Sequence, residues 1–221
     1  MVGYPLNIYV NDLLYRPYKS KVTNLIYNLF FCDRLKLYQD NFKGEMVSPW
    51  SELFLVSKNS GDLENIVNES KGESRVRILA FKELGRLGIK IQKKELLGVI
   101  VEVGMDSGLD TLAAYKDNTA CYINHTGKMI IWENAQDINI NDKIMELFRN
   151  SVELVSKIGP WDKNRLPQPK KGEARITFLV SDGLYFGQGG YDALLKDPLG
   201  GRVLSTASEL MSLLINKSLA K

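Results

Sequence analysis

The chain carries one histidine, His125, and two cysteines, Cys32 and Cys121, so any nucleophilic or acid–base chemistry has few residues to draw on. Histidine is the natural proton-transfer group because its intrinsic pKa lies near physiological pH. Cys121 precedes it by four residues, which suggests a nucleophile–base pair. In an extended strand that spacing is about 13 Å, at roughly 3.3 Å per residue, so the pair can form only if the chain turns back on itself. A dyad of Cys32 with His125 would require a tertiary contact. Asp110 and Asp182 complete the catalytic candidates. The two cysteines sit far apart in apolar contexts and read as free, buried thiols rather than a disulfide. One histidine and two scattered cysteines supply neither a tetrahedral zinc set nor a CxxC spacing. Asp106 and Asp110 flank Ser107-Gly108 and could offer oxygens to a hard cation, but the dense acidic pattern of a calcium loop is missing. No metal and no cofactor are expected.

A second cluster concerns ligand binding rather than catalysis. Ser181-Asp182-Gly183 leads through Leu184-Tyr185-Phe186 into Gly187-Gln188-Gly189-Gly190. Glycines let backbone N–H groups approach an anion, and a short helix at Asp192 to Lys196 would follow them. There is, however, no GK[ST], and the preceding element reads as an antiparallel hairpin rather than the first strand of a βαβ unit. The ligand-binding candidates are therefore Gly187, Gln188, Gly189 and Gly190, with Asp106 and Trp161 on neighbouring loops. If the chain has a small-molecule pocket, its place is expected between the glycine-containing loops (Gly187–Gly190 and Asp197–Gly201), the Asp106 loop and the basic stretch 159–172.

These residues are positioned by elements whose periodicity is legible. Ser20 can cap a helix with Val22, Leu25, Ile26, Leu29 and Phe30 on one face. Ser48-Pro49 starts a shorter helix through Trp50, Leu53 and Phe54, and residues 62–69 suggest another. A helix over 73–87 stops at Gly88. From Leu97 to Glu133 the period changes to that of strands, at 97–103, 109–115, 120–124 and 129–133. The short turns between them dictate antiparallel neighbours, hence a β-meander. A helix over 141–158 follows, with Ile144, Leu147, Phe148, Val152, Val155 and Ile158 inward. Residues 159–172 form an irregular basic loop with three prolines, of a length that marks either a functional loop or a linker. A hairpin over 174–188, turning at Asp182-Gly183, either extends the meander's sheet or makes a second one. The last helix starts near Thr206 with Glu209 completing a capping box.

The sequence thus predicts an α+β fold: an antiparallel meander and C-terminal hairpin packed on amphipathic helices. A Tyr-rich arm over 1–19 precedes a single domain over 20–221. With 221 residues, 44% of them hydrophobic and 25% charged, the chain can bury a core without disulfides or metal. Lys+Arg 29 against Asp+Glu 26 leaves a net charge of +3, too small for the field of a dedicated nucleic-acid binder. Arg16, Lys19 and Lys21 among the N-terminal tyrosines, together with the basic loop, are the features that would bind nucleic acid. No apolar run approaches the roughly 20 residues needed to span a bilayer, and no signal peptide is evident, so a soluble, cytoplasmic protein is expected. The function these features favour is a non-catalytic binding or interaction domain, with a protein partner or a second copy of the chain as its partner. The alternative is an enzyme whose acid–base site, acting on a small phosphorylated or acyl substrate, is assembled only by the fold.

Overall fold

The computed structural model of the chain describes residues 15–69, 71–133 and 137–219. Most of the N-terminal arm, residues 1–14, lies outside them. The described residues form an α+β fold around one six-stranded antiparallel sheet of order β4-β3-β2-β1-β5-β6. The meander supplies β1 (Leu96–Gly104), β2 (Leu109–Tyr115), β3 (Ala120–Ile123) and β4 (Met129–Trp132), and the hairpin supplies β5 (Glu173–Val180) and β6 (Gly183–Gly190). The hairpin therefore extends the meander's sheet, through β5 pairing with β1. No helix among the described residues is long and apolar enough to cross a membrane.

Helices cover both faces. On one side lie α1 (Lys21–Leu29), α2 (Leu35–Asn41), α3 (Trp50–Phe54), α4 (Ser60–Asn68) and α5 (Ser74–Arg86), packed on Leu97, Ile100, Ala113, Tyr115, Cys121 and Leu179. On the other lie α6 (Ile138–Lys157) and α8 (Gly200–Leu219), packed on Val99, Val101, Leu112, Ala114, Ile176 and Phe178. The short α7 (Tyr191–Lys196) links β6 to α8. Two covered faces explain why β1 is buried at almost every position instead of alternating in burial.

Helix boundaries follow local capping. Ser20 accepts a hydrogen bond from the Thr23 backbone N–H, Asn59 from Gly61 and Asp137 from Ile140. Gly88, at φ 78°, ends α5 in the left-handed conformation. The last helix differs from the expectation. It begins at Gly200, where the Asp197 carboxylate accepts from the Leu199 and Gly200 backbone N–H groups. Thr206 is accordingly interior and donates to the Arg202 carbonyl, so it caps nothing. A Cβ on Gly201 would lie 2.2 Å from the Leu195 carbonyl oxygen, so this glycine serves the close approach of α7 to α8 rather than a flexible loop.

The face of α1 also departs from expectation. Val22 is 54% exposed, whereas Thr23, Asn24, Tyr27 and Asn28 are buried. Hydrogen bonding decides this. Asn24 holds both the N–H and the carbonyl of Tyr18, Asn28 holds the Tyr15 carbonyl, and Tyr27 reaches a carboxylate in the sheet. In α6, Val152 is likewise exposed and Ser151 is buried, its hydroxyl donating to the Leu147 carbonyl.

That carboxylate belongs to Glu102 on β1, which is fully buried. Its cross-strand neighbour on β5 is Arg175, whose Nε and Nη2 donate to the two carboxylate oxygens at 2.7 and 3.0 Å. Tyr27 donates to Glu102 Oε1 at 2.7 Å. Arg175 Nη1 donates to the carbonyls of Pro167 at 2.9 Å and Leu166 at 3.3 Å. One buried cluster thus joins α1, β1, β5 and the 159–172 stretch, which is a strap fastened across the sheet rather than a loose linker.

Removing one member of a buried ion pair strands the other and costs about 3–5 kcal/mol. Arg175→Met should lower the stability of the chain by that amount in urea titration. Glu102→Met combined with Arg175→Met should recover part of the loss, because no unpaired charge remains.

Candidate functional site

Strand register assembles a patch on the face under α8. Val103 lies opposite Asp110, Val101 opposite Leu112, and Leu112 opposite Tyr122, so all five side chains share a face. Leu204, Ala207, Ser208 and Met211 of α8 pass over this patch, and Met105, Gly172, Tyr191 and Asp192 close its end. The short side chains of Ala207 and Ser208 leave a cleft of about 460 Å³ between helix and sheet. Its walls are mostly apolar, and its charged residues are two carboxylates, Asp110 and Asp192.

Asp110 is the polar centre of the cleft. Its Oδ2 accepts from the Tyr122 hydroxyl at 3.3 Å. Its Oδ1 accepts from the His125 backbone N–H at 2.6 Å and lies 3.3 Å from His125 Nδ1. Partial burial, and then the Asp110 charge beside it, push the Tyr122 phenol up to about 12, so it stays protonated and donates. The His125 turn is held close by Gly108, whose φ is 92° and whose Cβ, if it had one, would stand 2.3 Å from the His125 carbonyl oxygen. Gly104 plays a similar part on the other rim: a Cβ there would meet the Lys170 carbonyl at 2.0 Å, and its own carbonyl accepts from the Gly172 N–H.

Of the residues singled out from sequence, Asp110 lines the cleft and His125 touches it through Asp110. Cys121 points to the opposite face, into the core beneath α1–α5, and makes no pair with His125. Burial pushes the Cys121 thiol, like that of Cys32, up to about 12, which removes both as thiolate nucleophiles near neutrality. Asp106 forms an exposed ion pair with Lys171 beside the cleft's mouth. Gly187, Gln188, Gly189 and Gly190 are not a loop: they run in β6 opposite Ile176, Arg175, Ala174 and Glu173. Their backbone runs extended along β5, so successive N–H groups point in alternate directions rather than converging as in an anion-binding turn. Asp182 and Trp161 stand at the far end of the hairpin, in a second cleft on the opposite face. No group of three or more His, Cys, Asp or Glu side chains among the described residues is arranged to hold a metal ion.

Sequence reasoning missed Tyr122, Met105, Tyr191 and the α8 residues. Strand parity carries a signal for the first of these, since Asp110, Leu112 and Tyr122 fall on one face once the turn at Asp117-Asn118 fixes the register. Of the α8 residues only Leu204 precedes Thr206; Ala207, Ser208 and Met211 lie within the expected helix, and it is the packing of that helix across the sheet, which no local pattern encodes, that brings them to the cleft.

The buried thiols give a pH signature. Both are neutral in the folded chain and ionise near their ordinary value of about 9 once unfolded, so folding is favoured fully below pH 9. That contribution is lost as pH rises from 9 towards 12. Urea midpoints should therefore fall more steeply above pH 9 for the native sequence than for a Cys32→Ala, Cys121→Ala variant, and a thiol reagent at pH 8 should label the folded chain far more slowly than the unfolded one.

No family model, no curated protein and no solved structure matches this chain, so a functional reading rests on the chemistry of its clefts.

Proposed function

We propose that the chain is a non-catalytic binding domain whose cleft under α8 takes a small, largely apolar molecule with a cationic or hydrogen-bond-donating head. The observation that carries this reading is the cleft itself. Its volume of about 460 Å³ falls in the range of roughly 300–1,000 Å³ typical of small-molecule sites, and its apolar walls converge on one carboxylate, Asp110, already held by three contacts from Tyr122 and His125. A carboxylate held this way is preorganised to accept a further hydrogen bond, and the acidic lining repels anionic heads. A reducing compartment such as the cytoplasm suits the two free, buried thiols.

Acid–base catalysis is a second reading, favoured by the 3.3 Å approach of Asp110 Oδ1 to His125 Nδ1. A carboxylate can orient an imidazole in this way for proton transfer through its other nitrogen. The ring, however, does not line the cleft, and an acidic cleft suits neither a phosphorylated substrate nor the developing oxyanion of acyl transfer.

The test uses three molecules that share a body and differ in head: 4-phenylbutylamine, 4-phenylbutanol and 4-phenylbutyrate. Ligand-observed NMR should show saturable binding of the amine and the alcohol and much weaker binding of the acid. Asp110→Asn should weaken the amine about tenfold, or about 1.4 kcal/mol, with less effect on the alcohol. Ala207→Trp should abolish binding of all three by filling the cleft. Absence of saturable binding for every head group would overturn the proposal.

A further inference from the structure

The second cleft lies on the other face of the sheet and at the other end of the β5–β6 hairpin. It opens between the C-terminal half of α5, the turn at Phe31–Arg34, and the strap at Trp161–Arg165, with a volume of about 480 Å³. Its charge is opposite to that of the first cleft. Arg34, Lys82, Arg86, Lys163 and Arg165 line it with only two carboxylates, Asp33 and Asp182, and Arg86 reaches a third, Glu83, behind the wall.

These carboxylates leave Lys82 without an ion-pair partner among the described residues. Asp182 Oδ2 accepts from the Tyr185 hydroxyl at 2.9 Å and faces Lys94, a sixth cation, at 3.8 Å. Asp33 Oδ2 accepts from Arg165 Nε at 3.0 Å. The Lys82 ammonium donates to the Asp33 carbonyl at 2.5 Å and has no carboxylate within ion-pairing distance among the described residues. Burial disfavours its charged form and lowers its pKa, despite the nearby Asp33 charge. A cation partly withdrawn from water without a counter-ion costs free energy that an incoming anion would recover.

Arg165 supplies the second observation. Its side chain is only 4% exposed, Nη2 donates to Asn28 Oδ1 at 3.0 Å, and the buried Nη1 has no hydrogen-bond partner among the described residues. Its guanidinium lies 3.7 Å over the Phe31 ring. Phe81 and Trp161 add flat apolar surface to the same walls, Trp161 being packed edge-on against Phe186. An ammonium without a carboxylate partner and a spare guanidinium N–H beside aromatic faces match a compact anionic group carried on a flat ring.

We propose that this cleft binds an aromatic organic anion, with Lys82 and Arg165 meeting its phosphate or carboxylate and the aromatic walls holding its ring. The site is independent of the cleft under α8. The two stand on opposite faces, share no lining residue, and attract ligands of opposite charge.

Calorimetric titration of the full chain with phenyl phosphate, benzoate, inorganic phosphate and benzyl alcohol tests this. Phenyl phosphate or benzoate should bind saturably, at least tenfold more tightly than inorganic phosphate or benzyl alcohol, and less tightly as salt rises. Preference between the two aromatic anions identifies the head group as phosphate or carboxylate. Lys82→Met should weaken that binding at least tenfold without lowering the melting temperature, because it removes an unpaired cation. Trp161→Ala should narrow the difference between phenyl phosphate and inorganic phosphate. Asp110→Asn should change none of these values, which separates failure here from failure of the first cleft. Equal binding of benzyl alcohol, binding indifferent to both Lys82→Met and Trp161→Ala, or no binding of either aromatic anion would overturn the proposal.

Discussion

The buried pair of Glu102 and Arg175 sets the alignment on which the sheet depends. The meander strands and the β5–β6 hairpin are joined by short turns, and a short turn fixes register by its own geometry. The pairing of β1 with β5 has no such guide, because α6 and the strap intervene between them. A slip of one residue would carry one member of the pair to the α6–α8 face, away from its partner and from Tyr27, and leave two buried charges apart. The pair therefore contributes more to specifying one register than to net stability, in keeping with the near-cancellation of desolvation and attraction in buried ion pairs. Tyr27 and the Leu166 and Pro167 carbonyls satisfy the remaining polar atoms, which is why α1 turns a polar face inward.

From this alignment both clefts follow. Register on the β2 side brings Asp110, Leu112 and Tyr122 under α8, and the strap that Arg175 holds delivers Gly172 to the same rim. The same strap inserts Arg165 against Phe31 at the opposite end. Two clefts of contrasting charge thus share one structural support.

The strand pattern and short turns made the meander and the hairpin legible, and nearly every helix could be read from an apolar stripe or a cap. What escaped the sequence was long-range. The inward face of α1 is set by hydrogen bonds from Asn24, Tyr27 and Asn28 to residues as distant as Glu102, and a hydrophobic stripe selects the wrong side. The start of α8 is set by Asp197, while Thr206 and Glu209 mimic a capping box inside the helix. The glycines of β6 looked like a ligand loop because composition does not distinguish an exposed edge strand from a turn. Asp110 stood out as an isolated acid, but its companions became visible only through cross-strand register.

Trp161 has one more part to play. A sheet's outer strand exposes a row of amide and carbonyl groups that can template pairing with another chain, and β6 is such a strand, short of side chains over Gly187–Gly190. The Trp161 N–H occupies the Leu184 carbonyl at 2.7 Å, and the indole covers Phe186. The strap thereby covers this edge at one end, beside the hairpin turn, and stands there in the way of the intermolecular strand addition through which exposed sheets begin to aggregate.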